Sequence, residues 1–202
     1  MEKVIQNKSE LKTLTCLEPA CGAGHMAKVL SGYFDSVHSS DIYSYGYGSV
    51  SDYLSAGYSP NSIDWIITNP PFRLAEEFVL RSLDIARIGV AILARTVFLE
   101  SVGRYSRIFS KASPSVFAQF SERVPMVKGR LDEKASTATG YGWLVWYKDS
   151  LATSPPQLMW IPPCRKALER EGDYLDPRDD RSSSSYRNVG LNSCSNDILL
   201  PI

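Results

Sequence analysis

Histidine is nearly absent from this chain, with His25 and His38 the only two. That excludes a metal centre built on histidine. Cysteine is sparse as well. The four, at positions 16, 21, 164 and 194, have neither zinc-ligand spacing nor the density of a disulfide framework. Reduced thiols in a cytoplasmic protein are the expectation. An excess of one charge is also missing, since 22 Lys and Arg balance 22 Asp and Glu. No whole-chain basic field draws the protein onto nucleic acid, so such a contact has to come from a local patch. No apolar run reaches the roughly 18 residues of a membrane span. The opening MEKVIQNKSELK carries no apolar segment of the signal-peptide kind.

What is present is a chain of 202 residues, 44% hydrophobic and 22% charged, enough for one domain with a real core. Residues 14–149 alternate short apolar runs with helical patterns. Strands are expected at 14–18, 36–41, 63–68 and 89–95, with helical stretches at 24–33 and 73–87. The runs at 63–68 (IDWIIT) and 89–95 (GVAILAR) are nearly continuously apolar, which suits central parallel strands covered on both faces. Two later runs, 115–120 and 141–147, read as a closing hairpin. The alternation predicts an α/β fold with an open, doubly wound, Rossmann-like sheet. Beyond residue 150 prolines concentrate, a mixed charge cluster spans 173–181, and serines run from 182 to 185. The expected organisation is one domain over 1–175 and a disordered tail over 176–202.

Two motifs carry chemistry. The first is the turn Glu18-Pro19-Ala20-Cys21-Gly22-Ala23-Gly24, which follows the first strand and opens a helix. Small residues there admit close approach of a ligand to the backbone. Asp41, 17 residues after Gly24, ends the next strand, where a carboxylate can accept both hydroxyls of a ribose. Asp52 follows, suited to accept from an exocyclic adenine amine. Gly22 to Ala27 also satisfies G-x-G-x-x-A, so a dinucleotide cofactor such as NAD stays open on this motif alone.

The second motif is Asn69-Pro70-Pro71-Phe72, between a buried strand and a helix. Successive prolines pin the backbone. The Asn69 side-chain carbonyl and the Pro70 main-chain carbonyl are both acceptors and suit an NH2 group. Phe72 can stack on a planar base. Two acceptors draw the amine hydrogens out of the ring plane and localise the nitrogen lone pair for attack on a sulfonium methyl. Pro163-Cys164 invites a cytosine-C5 nucleophile, but it lies far from this strand end.

LEPACGAGHM at 17–26 resembles the S-adenosylmethionine (AdoMet) signature of class I methyltransferases, and ITNPPF at 67–72 resembles the catalytic motif of adenine-N6 DNA methyltransferases. ITNPPFRLAEEF, GVAILARTVFLES, ERVPMVKGR and STATGYGWLVW together resemble small phage- or prophage-type members of that group. The resemblance spans roughly residues 14–175. It implies a seven-stranded mixed sheet with its last strand antiparallel, and AdoMet as cofactor. It places Glu18, Cys21, Gly22 and Gly24 along the methionine and ribose side, with Pro19 and Ala20 in the same turn. Asp41 and Ile42 fall at the ribose, Asp52 and Tyr53 at the adenine ring. Asn69, Pro70, Pro71 and Phe72 hold the target base, with Asn69 also bordering the cofactor. The acceptors compatible with this motif are adenine in DNA, adenine in RNA and a protein glutamine amide. An inactive prophage-derived binding module is a further alternative.

A local basic patch is also present. Residues 101–130 hold six basic side chains against one acid, Glu122. Arg104, Arg107, Lys111, Arg123, Lys128 and Arg130, with Ser136 and Thr137 beyond them, are the candidate nucleic-acid contacts. Tyr43, Tyr45, Tyr47, Tyr53 and Tyr58 cluster after the second strand as stacking or packing residues.

Overall fold

The computed structural model describes residues 8–125, 138–149 and 155–169. Short helix α1 (Lys8–Leu11) leads into strand β1 (Thr15–Glu18), helix α2 (His25–Leu30), β2 (Ser36–Asp41), a two-residue β3 (Ser49–Val50) and β4 (Ile63–Thr68). Helix α3 (Ala75–Ile85), β5 (Ala86–Arg95), β6 (Val116–Phe120), β7 (Tyr141–Tyr147) and β8 (Gln157–Ile161) follow. All eight strands form one sheet in the order β3-β2-β1-β4-β5-β7-β6-β8.

β1 lies parallel between β2 and β4, and β5 continues the parallel set. β7 runs antiparallel to both β5 and β6, as the expected closing hairpin requires. The count differs from seven. β8 adds parallel to β6 at the sheet edge, so the last strand among the described residues is parallel and the antiparallel one is β7. Pro155 and Pro156 before β8 and the exposed Leu158 and Trp160 on it hide the strand in the sequence, because it is an edge and buries only part of its surface.

Period-two alternation sends successive side chains to opposite faces. Trp65 and Ile67 of β4, with Ala91 and Leu93 of β5, join Leu11, Leu30 and Phe34 on one face. Ile66, Val90 and Ile92 join Phe78, Val79 and Ile85 of α3 on the other. Helices thus cover both faces, and this is why β4 and β5 read as unbroken apolar runs. Trp65 pairs with Gly89 across the β4–β5 ladder, and a Cβ at Gly89 would lie 2.5 Å from the indole. At the amino-terminal edge Asp64 accepts from the Thr15 backbone N–H at 2.9 Å and from Arg87 Nε at 2.7 Å, joining β1, β4 and β5 away from the site. Burial works against the Asp64 charge, but those hydrogen bonds hold its carboxyl below the ordinary value.

Candidate active site

The carboxyl ends of the parallel strands gather Glu18, Asp41, Asn69 and Arg95 along one edge of the sheet. Sites in open α/β sheets form at such an edge. The turn after β1 is built as the sequence predicts. Gly22 and Gly24 hold φ of 51° and 79°, the left-handed region that favours glycine. The Gly22 N–H donates to Asp41 Oδ2 at 3.0 Å, and the Tyr43 N–H donates to Asp41 Oδ1 at 3.1 Å. Cys21 N–H donates to the Ser40 carbonyl at 3.0 Å. The turn and the end of β2 are therefore one unit. Ile42, just beyond, is 54% exposed.

Glu18 is buried, and burial pushes its carboxyl up to about 8, with the charge of Asp41 adding to the rise. Its Oε2 has no hydrogen-bond partner. Among the described residues six buried side-chain polar atoms lack a partner. Four of them, Glu18 Oε2, Ser40 Oγ, Thr68 Oγ1 and Asn69 Oδ1, lie at the carboxyl ends of β1, β2 and β4. Buried polar atoms are ordinarily paired with protein or water, and these four fall together at the sheet edge where sites of such folds form.

After β4, Pro70 is buried and Pro71 is extended at φ −56°, ψ 124°. This delivers Phe72 into a short 3-10 turn (Phe72–Leu74) that leads into α3. Phe72 keeps 38% of its surface exposed. The Arg95 guanidinium sits 4.1 Å from the Phe72 ring centroid, and the Tyr141 ring centroid is 5.9 Å away. Arg95 and Tyr141 are cross-strand partners in the β5–β7 ladder, so the hairpin brings both to the tetrad. Beside it opens a cleft of about 540 Å3, lined by Arg95, Thr96, Gln119, Ser121, Glu122 and Arg123 among others.

The other expected site residues take varied places. Tyr53 is a core side chain. It is 2% exposed, its hydroxyl meets Ser82 Oγ of α3 at 2.9 Å, and its ring packs on Phe78. Its apolar ring is worth more buried under α3 than at a cofactor edge. Asp52 is exposed and holds its own turn, accepting from the Leu54 N–H at 3.1 Å and from Ser55 Oγ at 3.0 Å. Arg104 donates to the carbonyls of Phe98, Val97 and Glu100 and lies over the Phe98 ring, so it braces its own segment. Arg107 is forked onto Glu76 at the start of α3. Lys111 is exposed, and Arg123 donates to the Ala138 carbonyl at the cleft mouth. Lys128, Arg130, Ser136, Thr137, Cys194 and the tail over 176–202 lie outside the described residues. Cys164 is buried and its N–H donates to Glu122 Oε1 at 2.6 Å, distant in the fold from Asn69 and unsuited to a nucleophile's role.

Sequence reasoning missed two residues. Tyr47 folds back over the glycine turn, so close that a Cβ at Gly24 would lie 2.3 Å from its ring, and Lys28 Nζ stands 5.3 Å from the same ring. The tyrosine cluster carried that signal without saying which ring it concerned. Arg95 had no signal, because one arginine ending a strand is ordinary.

No family model and no curated protein sequence matches this chain. Solved structures do. A Pyrococcus horikoshii protein assigned as an RNA methyltransferase superposes with a TM-score of 0.54 at 12% identity, covering 73% of this chain and 78% of that one. A protein of Vibrio vulnificus YJ016 assigned as the modification subunit of a type I restriction enzyme superposes with a TM-score of 0.53 at 13% identity, covering 87% of this chain. The chain spans about half of that subunit's length, 51%. At such identities the likeness is one of architecture. The chain has the Rossmann-like fold of class I methyltransferases.

Proposed function

We propose that this chain, over residues 1–175, transfers the methyl group of AdoMet to the exocyclic N6 of adenine in DNA. The observation that carries the reading is the buried, unpartnered Asn69 Oδ1 at the end of β4, set in the sequence Asn-Pro-Pro-Phe. A side-chain carbonyl held there lacks only a donor, and an aromatic amine is a donor of matching size.

The residues at the glycine turn fit the cofactor. Asp41, fixed by two backbone N–H groups, keeps lone pairs for the ribose hydroxyls. The unpartnered Glu18 Oε2 suits a cationic amine, which also favours the charged carboxylate. Ile42 offers an exposed apolar face for a purine. When bound, AdoMet supplies an electrophilic methyl on a sulfonium whose departure leaves a neutral thioether.

The chain's own contribution is positioning. Asn69 and the Pro70 carbonyl accept the two amine hydrogens, and Phe72 stacks on the base. The nitrogen lone pair is then localised and aimed. Placement of this kind accounts for several orders of magnitude in rate without strong acid catalysis. An adenine inside a duplex cannot reach such a site, so the target is flipped or already unpaired. The NAD reading explains the turn but gives the tetrad no role.

The test is transfer from labelled AdoMet to unmethylated DNA and, in parallel, to RNA, with nucleosides from both digests identified by mass spectrometry. N6-methyladenine in DNA is expected. Label only in RNA would replace the acceptor, and label in neither nucleic acid would overturn the reading.

A further inference from the structure

Arg95 joins the tetrad to the cleft beside it. Its guanidinium carbon lies over the Phe72 ring, 4.1 Å from the centroid, while its side chain also lines the cleft. The N–H donors of a guanidinium lie in its plane and remain available when the face is stacked. Arg95 is exposed and, among the described residues, has no carboxylate partner. The other charged side chains of the cleft each hold backbone groups. Glu122 turns Oε1 to the backbone N–H groups of Cys164 and Arg165, each at 2.6 Å, and Arg123 donates to the Ala138 carbonyl. Gln119 gives its amide to the carbonyls of Phe120 and Tyr141 at 2.8 and 3.1 Å, and Ser121 donates to the Ile161 carbonyl at 2.7 Å. Among the described residues, Arg95 is therefore the cleft cation with no hydrogen bond to the backbone, set at the flank of the aromatic that the proposed function assigns to the target base.

We propose that the cleft is the backbone subsite for the strand carrying the target, with Arg95 donating to the phosphodiester that flanks the flipped adenine. This rests on the proposed function for the placement of the base. Planar, forked donors fit a phosphate better than a point charge does. Stacking on Phe72 fixes the fork before the strand arrives, so little side-chain freedom is lost on binding. A pre-set cation beside the tetrad also fits a protein with zero net charge, since contact with the backbone is then local to the reacting nucleotide rather than spread over the surface. Arg95 is a positioning residue in this account.

The experiment uses the full chain and a fluorescent single-stranded DNA 12-mer with one adenine among pyrimidines, with affinity read by anisotropy over a range of salt. A second oligonucleotide carries a neutral methylphosphonate at the phosphates flanking the adenine. The same pair is made in RNA. Arg95→Gln is expected to weaken binding about 5- to 10-fold and to flatten the salt slope by about 0.7, the amount for one phosphate contact on a single strand. The methylphosphonate is expected to weaken wild type by a similar factor and Arg95→Gln hardly at all, because both changes remove one contact. Arg95→Lys keeps the charge and is expected to restore the salt slope while leaving affinity below wild type. Coupling in the RNA pair alone keeps the phosphate contact and names ribose as its sugar. Losses that multiply in both pairs, or no binding of either oligonucleotide by wild type, would overturn the proposal. Binding is read without turnover. Coupling without methyl transfer would therefore sink the function and keep the subsite, and methyl transfer without coupling would do the reverse.

Discussion

The backbone N–H of Gly22 donates to Oδ2 of Asp41 at 3.0 Å. One hydrogen bond thus ties the left-handed glycine of the turn after β1 to the residue that ends β2. It fixes a carboxylate at the mouth of the turn with lone pairs to spare, which the proposed ribose contact would use.

Replacing Asp41 by Ala removes both the acceptor and the tie to Gly22. AdoMet affinity is expected to fall about 30-fold, the equivalent of roughly 2 kcal/mol for a charged hydrogen-bond partner. Calorimetric titration of AdoMet into the variant reads this directly. An affinity equal to wild type would remove Asp41 from the cofactor site.

Glu18 gives a pH dependence. Its carboxyl is raised from 4.5 to about 8 in the folded chain, mainly by burial. A carboxyl raised on folding contributes stability that is fully present below the unfolded value and is lost as pH rises through the folded one. Wild-type stability should therefore decline from about pH 4.5 to about 8 relative to Glu18→Gln, whose amide stays neutral. Urea titrations of both proteins across that window measure the difference. Parallel curves would show that Glu18 ionises normally in the folded chain.

Gly89 tests the sheet that holds the site. A Cβ there would lie 2.5 Å from the Trp65 indole, so Gly89→Ala should destabilise by about 1–3 kcal/mol through overpacking. The midpoint of urea unfolding reports it. A midpoint unmoved from wild type would mean that the β4–β5 ladder does not bring Trp65 over this position.

Much of this framework is legible in the sequence, for identifiable reasons. IDWIIT and the later GVAILAR are buried on both faces, so composition alone marks them as central strands. The tetrad and the glycine turn are legible because backbone constraint and close approach demand particular residue types. β8 is not legible, since an edge strand with exposed Leu158 and Trp160 looks like any apolar run between prolines. Tyr53 is not legible either. Its neighbour Asp52 faces solvent while Tyr53 turns under α3, and one step along the chain reverses the environment. Arg104 and Arg107 read as free cations until the fold supplies carbonyls and Glu76 as their partners. Charge counted along a sequence does not reveal which side chains are already engaged.

Activation of an adenine amine by Asn69 is tested by single-turnover methyl transfer to adenine-containing DNA, comparing wild type with Asn69→Ala and measuring AdoMet affinity on both. The account predicts N6-methyladenine from wild type, a loss of roughly a thousandfold or more in the variant from the missing transition-state contact, and AdoMet affinity within about threefold between the two. Full transfer by Asn69→Ala would contradict it.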